Sequence, residues 1–269
     1  MLSVALIGFG QIGRSIASTI AENPIEGISI DVVCCRSTQE QAALDLCPKA
    51  KLITRWSEYR GPAVDIVVEA AGHNVVVDDG PAILAAGSDL LLLSVGALAD
   101  NQLHNRMLEA AKIGNSRIII AAGALAGFDG LHSLRQSGLK SVLYRSTKPP
   151  KAWKGTLAEE LIDLDAVTGP TVFFRGDAAK AALQFPRNAN LAAAVALAGI
   201  GFDKTQVELI ADSNVSGNSG EVVAIGQAAT LRLEMRGEGF ASNPKSSQIT
   251  SMSVVAALAS RVAPLSFAS

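Results

Sequence analysis

The chain has 269 residues, of which 49% are hydrophobic and 18% charged, which suits one large or two modest domains with a buried core and excludes disorder as the main state. Its 23 basic and 25 acidic residues leave a formal charge of -2 with no long run of either sign, and only 4% of residues are aromatic. No nucleic-acid-binding surface is expected from such a balance. Cys34, Cys35 and Cys47 have no histidine at metal-ligand spacing and read as free thiols of a reducing compartment, with no metal site. Met1–Gly8 runs into glycine without a basic leader, and Ile83–Leu98, the most membrane-like stretch, contains Asp89 and two glycines. A soluble, cytoplasmic protein with no membrane partner is the expectation.

In chain order, Ser3–Ile7 reads as a buried strand, Gln11–Glu22 as a helix with Ile12, Ile16, Ala17 and Ile20 on one face, and Ile28–Cys35 as a second strand. Helices are expected at Thr38–Leu46, Asp78–Ala86 and Asn101–Lys112, and strands at Ala63–Ala70, Leu90–Ser94 and Ile118–Ala122. Strands apolar throughout, alternating with helices, imply a parallel sheet covered on both faces. Residues 1–122 are therefore expected to form an α/β dinucleotide-binding domain of the Rossmann type.

Beyond a Gly/Ala-rich turn at Gly123–Gly130 the pattern changes. Leu139–Thr147, Ala166–Arg175, Thr205–Ala211 and Glu221–Arg236 alternate like strands with one buried face, and Ala178–Gln184 and Ala189–Ala198 supply covering helices. Residues 123–240 read as a second α/β domain whose sheet has one face buried and the other more polar. Residues 241–269 carry a helix, Ile249–Arg261, expected to return to the nucleotide-binding domain.

Gly8-Phe9-Gly10-Gln11-Ile12-Gly13 matches G-x-G-x-x-G directly after a strand and at the opening of a helix. There the first glycine allows the tight turn, the second lets backbone amides reach a pyrophosphate, and the third lets helix and strand pack closely. At the end of the second strand, where a carboxylate would read the ribose hydroxyls of NAD, stand Arg36 and Ser37. An arginine can fork onto a 2'-phosphate and a serine can donate to it, so NADP(H) is the preferred cofactor, with NAD(H) as the alternative if Arg36 merely stacks on adenine.

Ser94–Asp100, Gly123–Asp129, Thr147–Pro150, Phe174–Ala178, Phe185–Asn190, Gly199–Phe202 and Asn243–Ser247, in this order and spacing, resemble the L-aspartate dehydrogenase family from residue 4 to about residue 260. The resemblance implies reversible NAD(P)-dependent oxidative deamination of L-aspartate through iminosuccinate to oxaloacetate by a homodimer, with a mixed sheet in the second domain, which serves substrate binding and dimerisation. It also implies that Ala124 and Asn190 contact the cofactor. Lys148, ahead of two prolines, could neutralise a dicarboxylate substrate. His73 follows a strand at the carboxyl edge of the first sheet, where ligands bind, and is a candidate to line the site. His104 and His132 read as surface residues.

The chain departs from the family at one segment, Ala211-Asp212-Ser213-Asn214-Val215-Ser216-Gly217-Asn218-Ser219-Gly220-Glu221. Asn218 keeps the family's asparagine, Ser213 replaces a proline, and Gly220 stands where the family carries its catalytic histidine. Loss of a general acid/base removes about 10² to 10⁴ in rate. Three readings follow: Glu221, Ser219 or water takes the role; the substrate differs from aspartate; or the chain is a nucleotide-binding sensor without turnover.

Overall fold

The computed structural model describes residues 1–186, 188–237, 239–240 and 243–266. They divide into two units, residues 1–121 with the segment from Thr250 onward, and residues 122–249. The expected boundary at residue 241 lies outside the described residues.

In the first unit the chain runs β1 (Leu2–Ile7), α1 (Gln11–Glu22), β2 (Ile28–Cys34), α2 (Glu40–Leu46), β3 (Lys51–Ile53), β4 (Ile66–Glu69), α3 (His73–Asp78), α4 (Gly80–Ala85), β5 (Asp89–Leu92), α5 (Asn101–Gly114) and β6 (Ile118–Ile120). The sheet order is β3-β2-β1-β4-β5-β6 and every pair is parallel. This is the doubly wound order, with its switch point between β1 and β4. Helices on both faces explain why Val4, Ala5, Leu6 and Ile7 are all buried, as are Ile66, Val67 and Val68. Asp100 caps α5 by accepting the Leu103 N–H at 2.9 Å, and Asn115 ends it in the left-handed region at φ 48°.

Three local readings are corrected. Asp78–Ala86 is not one helix: α3 ends at Asp78 and α4 restarts at Gly80, with Pro81 in its first turn, where a missing N–H is tolerated. Residues 38 and 39 belong to a 3₁₀ turn ahead of α2. Lys51–Ile53 forms an edge strand too short to display a period.

The second unit contains α6 (Phe128–Ser137), β7 (Leu139–Lys148), α7 (Pro150–Trp153), α8 (Ala158–Leu161), β8 (Thr171–Asp177), α9 (Ala178–Gln184), α10 (Asn190–Ala198), β9 (Gln206–Ala211), β10 (Asn218–Gly226) and β11 (Thr230–Gly237). Its mixed sheet has the order β11-β10-β7-β9-β8, parallel only between β7 and β9. A short antiparallel pair, β12 (Gly239–Phe240) and β13 (Asn243–Ser247), follows. Glu221–Arg236 is thus a hairpin and not one stretch, and α6 begins inside the expected Gly123–Gly130 turn.

Alternation along β7 sets the two faces of this sheet. Val142, Tyr144, Ser146 and Lys148 are buried, while Leu143, Arg145 and Thr147 between them are partly exposed. Tyr144 joins a core with Trp153, Phe185, Val195, Leu209 and Val222, in which the Trp153 indole N–H donates to the Ile210 carbonyl at 3.0 Å. The opposite face carries an ion-pair ladder that crosses all five strands in order. Arg232 meets Glu221 at 2.9 Å, Glu221 meets Arg145 at 2.9 Å, Arg145 meets Glu208 at 2.7 Å and Glu208 meets Arg175 at 3.0 Å.

After β13 the chain enters α11 (Gln248–Val262). Val254 and Leu258 are buried in the first unit among Val4, Leu6, Ile16 and Val33. Ser251 and Ser15 of α1 share a hydroxyl hydrogen bond at 2.8 Å. Arg261 donates to Asp89 at 2.8 Å, and Asp89 also takes the Arg117 backbone N–H at 2.7 Å.

Candidate functional site

The glycine loop of the first unit separates what the fold requires from what a ligand requires. Gly8 has φ +96°, and a Cβ there would lie 2.6 Å from the Ala70 carbonyl oxygen. A Cβ on Gly13 would fall 2.0 Å from the Gly8 oxygen, so α1 and β1 pack at a distance that only glycine allows. A Cβ on Gly10 would meet nothing within 4 Å. The fold leaves that position open, which fits a cradle for a group arriving from outside. Helix α1 has no side-chain cap and no acidic residue in its first turn, so its positive end suits the phosphates of a dinucleotide.

The remaining loop residues divide by face. Phe9 buries its ring, so only its backbone faces the loop, and its carbonyl accepts from Arg14 Nε at 3.2 Å and from Gln39 Nε2 at 2.9 Å. Ile12 packs against the core beneath. Arg36 and Ser37 are exposed immediately beyond β2, and β2 adjoins the loop because the Gly8 N–H donates to the Cys34 carbonyl at 2.9 Å. The sequence reading missed Gln39. Buried, it also accepts the Arg36 N–H at 3.3 Å and so ties the ribose-reading turn to the glycine loop.

At the carboxyl end of β4, Glu69 is buried and accepts hydrogen bonds from Ala71, Gly72 and Ser94. Half-buried His73 follows as the first residue of α3, after Gly72 at φ +139°. His104 is half-buried and burial lowers its pKa, a departure from the surface placement expected, whereas His132 is exposed.

In the second unit the turn that carries Ala124 lies beside the start of α10, which carries Asn190. Gly123 has φ +65°, and a Cβ there would sit 2.9 Å from Leu191 Cδ2, so the Gly123–Leu125 turn rests on the first turn of α10, where Asn190 stands. Lys148 is buried at the end of β7, its Nζ 5.1 Å from the Trp153 ring. Asn188, also absent from the sequence reading, is buried, with Nδ2 3.4 Å from the Ala152 carbonyl and Oδ1 without a partner among the described residues.

Strand register decides the fate of the Gly220 segment. Gly220 pairs with Ser146 on β7 and Met235 on β11. A Cβ on Gly220 would point into the helix-covered face, 3.2 Å from Leu125 Cδ1 and 3.4 Å from the Tyr144 hydroxyl. Burial pushes the Tyr144 phenol up to about 12, opposed by a hydrogen bond with Ser146. Glu221 and Ser219, one residue away on either side, face the other way. Glu221 is held in the ion-pair ladder between Arg145 and Arg232. A proton role for Glu221 or Ser219 would have to be played from the face opposite Gly220. Asn218 and Ser219 instead line an open polar cavity of about 440 Å³ with Thr147, Asp212, Glu234 and Arg236.

Among the described residues no group of three His, Cys, Asp or Glu side chains could hold a metal ion. Burial pushes the Cys34 thiol up to about 12 and that of Cys47 up to about 11, which leaves both as unreactive thiols. No helix of the described residues is long and apolar enough to cross a membrane.

Comparison with known proteins supplies a context for both units. A family model described as the NAD binding domain of homoserine dehydrogenase matches residues 8–121, and one described as the C-terminal domain of aspartate dehydrogenase matches residues 129–261. An L-aspartate dehydrogenase of Ralstonia pickettii is 38% identical over 265 residues, spanning 97% of this chain and 98% of the relative. One from Brucella anthropi is 38% identical over 262 residues, covering 97% of each chain. The crystal structure of an aspartate dehydrogenase from Thermotoga maritima superposes with a TM-score of 0.77 at 24% identity over the whole of both chains, a likeness of fold.

Proposed function

The chain belongs to the L-aspartate dehydrogenase family, and on that premise we infer that it is an NAD(P)-dependent dehydrogenase of CH–NH₂ groups whose amino-acid or imine substrate differs from L-aspartate. The observation that carries the reading is the packing at Gly220. Leu125 Cδ1 and the Tyr144 hydroxyl lie 3.2 and 3.4 Å from where a Cβ there would stand, so a larger side chain would have to displace them, which supports a pocket altered by more than the loss of one ring.

When bound, the nicotinamide supplies the hydride acceptor for oxidation of the amine-bearing carbon, and the donor for the reverse. The chain's own residues do the rest. Gly10 and Gln11 present backbone to the pyrophosphate while Gly8 and Gly13 provide the turn and the close helix–strand packing behind it, and Arg36 with Ser37 favours the 2'-phosphate of NADP(H) over the bare ribose of NAD(H). Ala124 and Asn190 hold the cofactor's reactive end, Asn190 being able both to donate and to accept. Lys148 offers a positive charge to a substrate carboxylate. On the face of Gly220, Ser146 and Tyr144 bear the hydroxyls able to hold a proton, and Leu125 keeps water out. Asn218 and His73 are further candidates for polar contact with the substrate. The same reading takes the protein as a cytoplasmic homodimer, which light scattering of the purified protein checks.

A substrate panel tests the proposal. Oxidation of NADPH and NADH is followed with ammonia or simple amines plus oxaloacetate, glyoxylate, pyruvate or small cyclic imines, and the reverse reaction with L- and D-amino acids. Turnover of a compound other than aspartate or oxaloacetate, with at least a 10-fold advantage in catalytic efficiency, is the expected result. Preference for L-aspartate overturns the substrate assignment, and cofactor binding without turnover of any compound favours a sensor.

A further inference from the structure

Glu69 is a buried acid that the reading above leaves without a task. It ends β4 and is 1% exposed. Its Oε1 accepts the backbone N–H of Ala71 at 2.8 Å, that of Gly72 at 2.7 Å and the Ser94 hydroxyl at 2.9 Å, while Oε2 accepts the Ser94 N–H at 2.9 Å. Backbone N–H groups can only donate, so both oxygens are acceptors, which is the arrangement of a carboxylate. All four of these hydrogen bonds come from uncharged groups. Oriented backbone N–H groups and the Ser94 hydroxyl offset the cost of burying this charge.

Two consequences follow from where the carboxylate sits. It fastens the segment after β4 to the segment after β5, and the former lies against the glycine loop, since the Ala70 carbonyl is the atom a Cβ on Gly8 would strike. It also stands on one side of the switch point. In the order β3-β2-β1-β4-β5-β6 the adenosine half belongs to the β1–β2 side, where Arg36 is, and the nicotinamide half to the β4–β5 side. The nicotinamide ring is cationic when oxidised and neutral when reduced. A fixed negative charge in low-dielectric surroundings on that side stabilises the oxidised ring selectively.

We propose that Glu69 is a positioning residue that also discriminates oxidation state: it presets the two segments that receive the nicotinamide half and favours NAD(P)⁺ over NAD(P)H. This rests on the reading of the first unit as a nicotinamide-dinucleotide site.

Calorimetric titration of wild type, Glu69→Gln and Ser94→Ala with the oxidised cofactor, the reduced cofactor and ADP-ribose tests it, using the NADP or NAD pair according to which binds wild type more tightly. Glu69→Gln is expected to raise the ratio of oxidised to reduced Kd about 10-fold and to leave ADP-ribose binding within about 2-fold. Ser94→Ala keeps the charge and loses one donor, so both oxidation states weaken alike and the ratio holds. Equal weakening of both states in Glu69→Gln, or no weakening of either, overturns the proposal. If Glu69→Gln does not fold, wild type is titrated with the matching benzamide adenine dinucleotide, flat and uncharged at the ring. About 10-fold weaker binding than the oxidised cofactor is expected, and equal affinity overturns the proposal. Wild type that binds no dinucleotide brings down the dinucleotide reading itself, whereas binding with an unchanged ratio brings down the role of Glu69 alone.

Discussion

Gly220 lies directly opposite Ser146 across the β7–β10 pair, and the two share the helix-covered face with Leu125 and Tyr144. Gly220 is not among the glycines with positive φ, so the backbone would accept another residue and packing is the obstacle. Gly220→His is expected to destabilise the protein by about 1–3 kcal/mol through overpacking, to leave L-aspartate turnover near background and to reduce the native activity. Leu125→Ala in the same chain should recover part of the stability. Thermal melts and steady-state kinetics decide: a 10-fold or greater gain on aspartate with native activity kept would mean that only a proton-transfer group was missing.

Much of this arrangement was legible in the sequence. Helices α1 and α9 run between the expected ends, and Gly8 and Gly13 have the tight turn and the close packing their spacing implied. These signals are local, since periodicity and G-x-G-x-x-G are written in neighbouring residues. What was not legible is relational. Which face of the sheet Glu221 and Gly220 each look onto depends on the strands and helices that flank β10, and Gln227-Ala228-Ala229 at its hairpin carries no Asn-Gly or Asp-Gly signal to reveal the turn. Gln39, Glu69 and Asn188 were missed or passed over for a related reason. A buried polar side chain is recognised by its partners, and theirs are brought by folding from up to 36 residues away.

The glycines give a graded test of the dinucleotide loop. Gly10→Ala places a methyl in open space, so the melting temperature should hold while both cofactors bind more weakly by a similar factor of about 10, because the methyl obstructs the backbone's approach to the pyrophosphate. Gly13→Ala should instead fail to fold or melt much earlier, its Cβ falling 2.0 Å from the Gly8 oxygen. Unchanged affinity in folded Gly10→Ala would remove the pyrophosphate from this loop.

Arg36 and Ser37 predict the choice of cofactor. Both are exposed beyond β2, and Gln39 holds their turn to Phe9. NADPH is expected to bind several-fold more tightly than NADH, and Arg36→Glu to invert the order by replacing a phosphate partner with a repelling carboxylate. Calorimetry of both cofactors with both proteins checks this. Equal wild-type affinities would show that Arg36 serves adenine and not the 2'-phosphate.

The ion-pair ladder predicts how stability follows pH. Hydrogen bonds from Arg145 and then Arg175 hold the Glu208 carboxyl below its ordinary value, against a smaller opposing effect of burial. A carboxyl whose folded pKa is depressed binds a proton more readily in the unfolded chain. Its stabilisation is therefore complete above the unfolded value near 4.5 and is lost as pH falls through the lower folded value. The melting temperature should fall as pH is lowered from about 5 to about 3, and Glu208→Gln should flatten that part of the profile. Arg145→Met leaves Glu208 and Glu221 on one face without their shared cation, which should destabilise the protein at neutral pH by about 1–3 kcal/mol. Because Glu221 belongs to this ladder and faces away from Gly220, Glu221→Gln should lower the melting temperature while turnover of the native substrate stays within about 3-fold, a smaller change than loss of a general acid/base brings. A drop in turnover by about two orders of magnitude or more, at unchanged cofactor affinity, would return Glu221 to the reaction, and would require the chemistry to take place on the ladder face of the sheet.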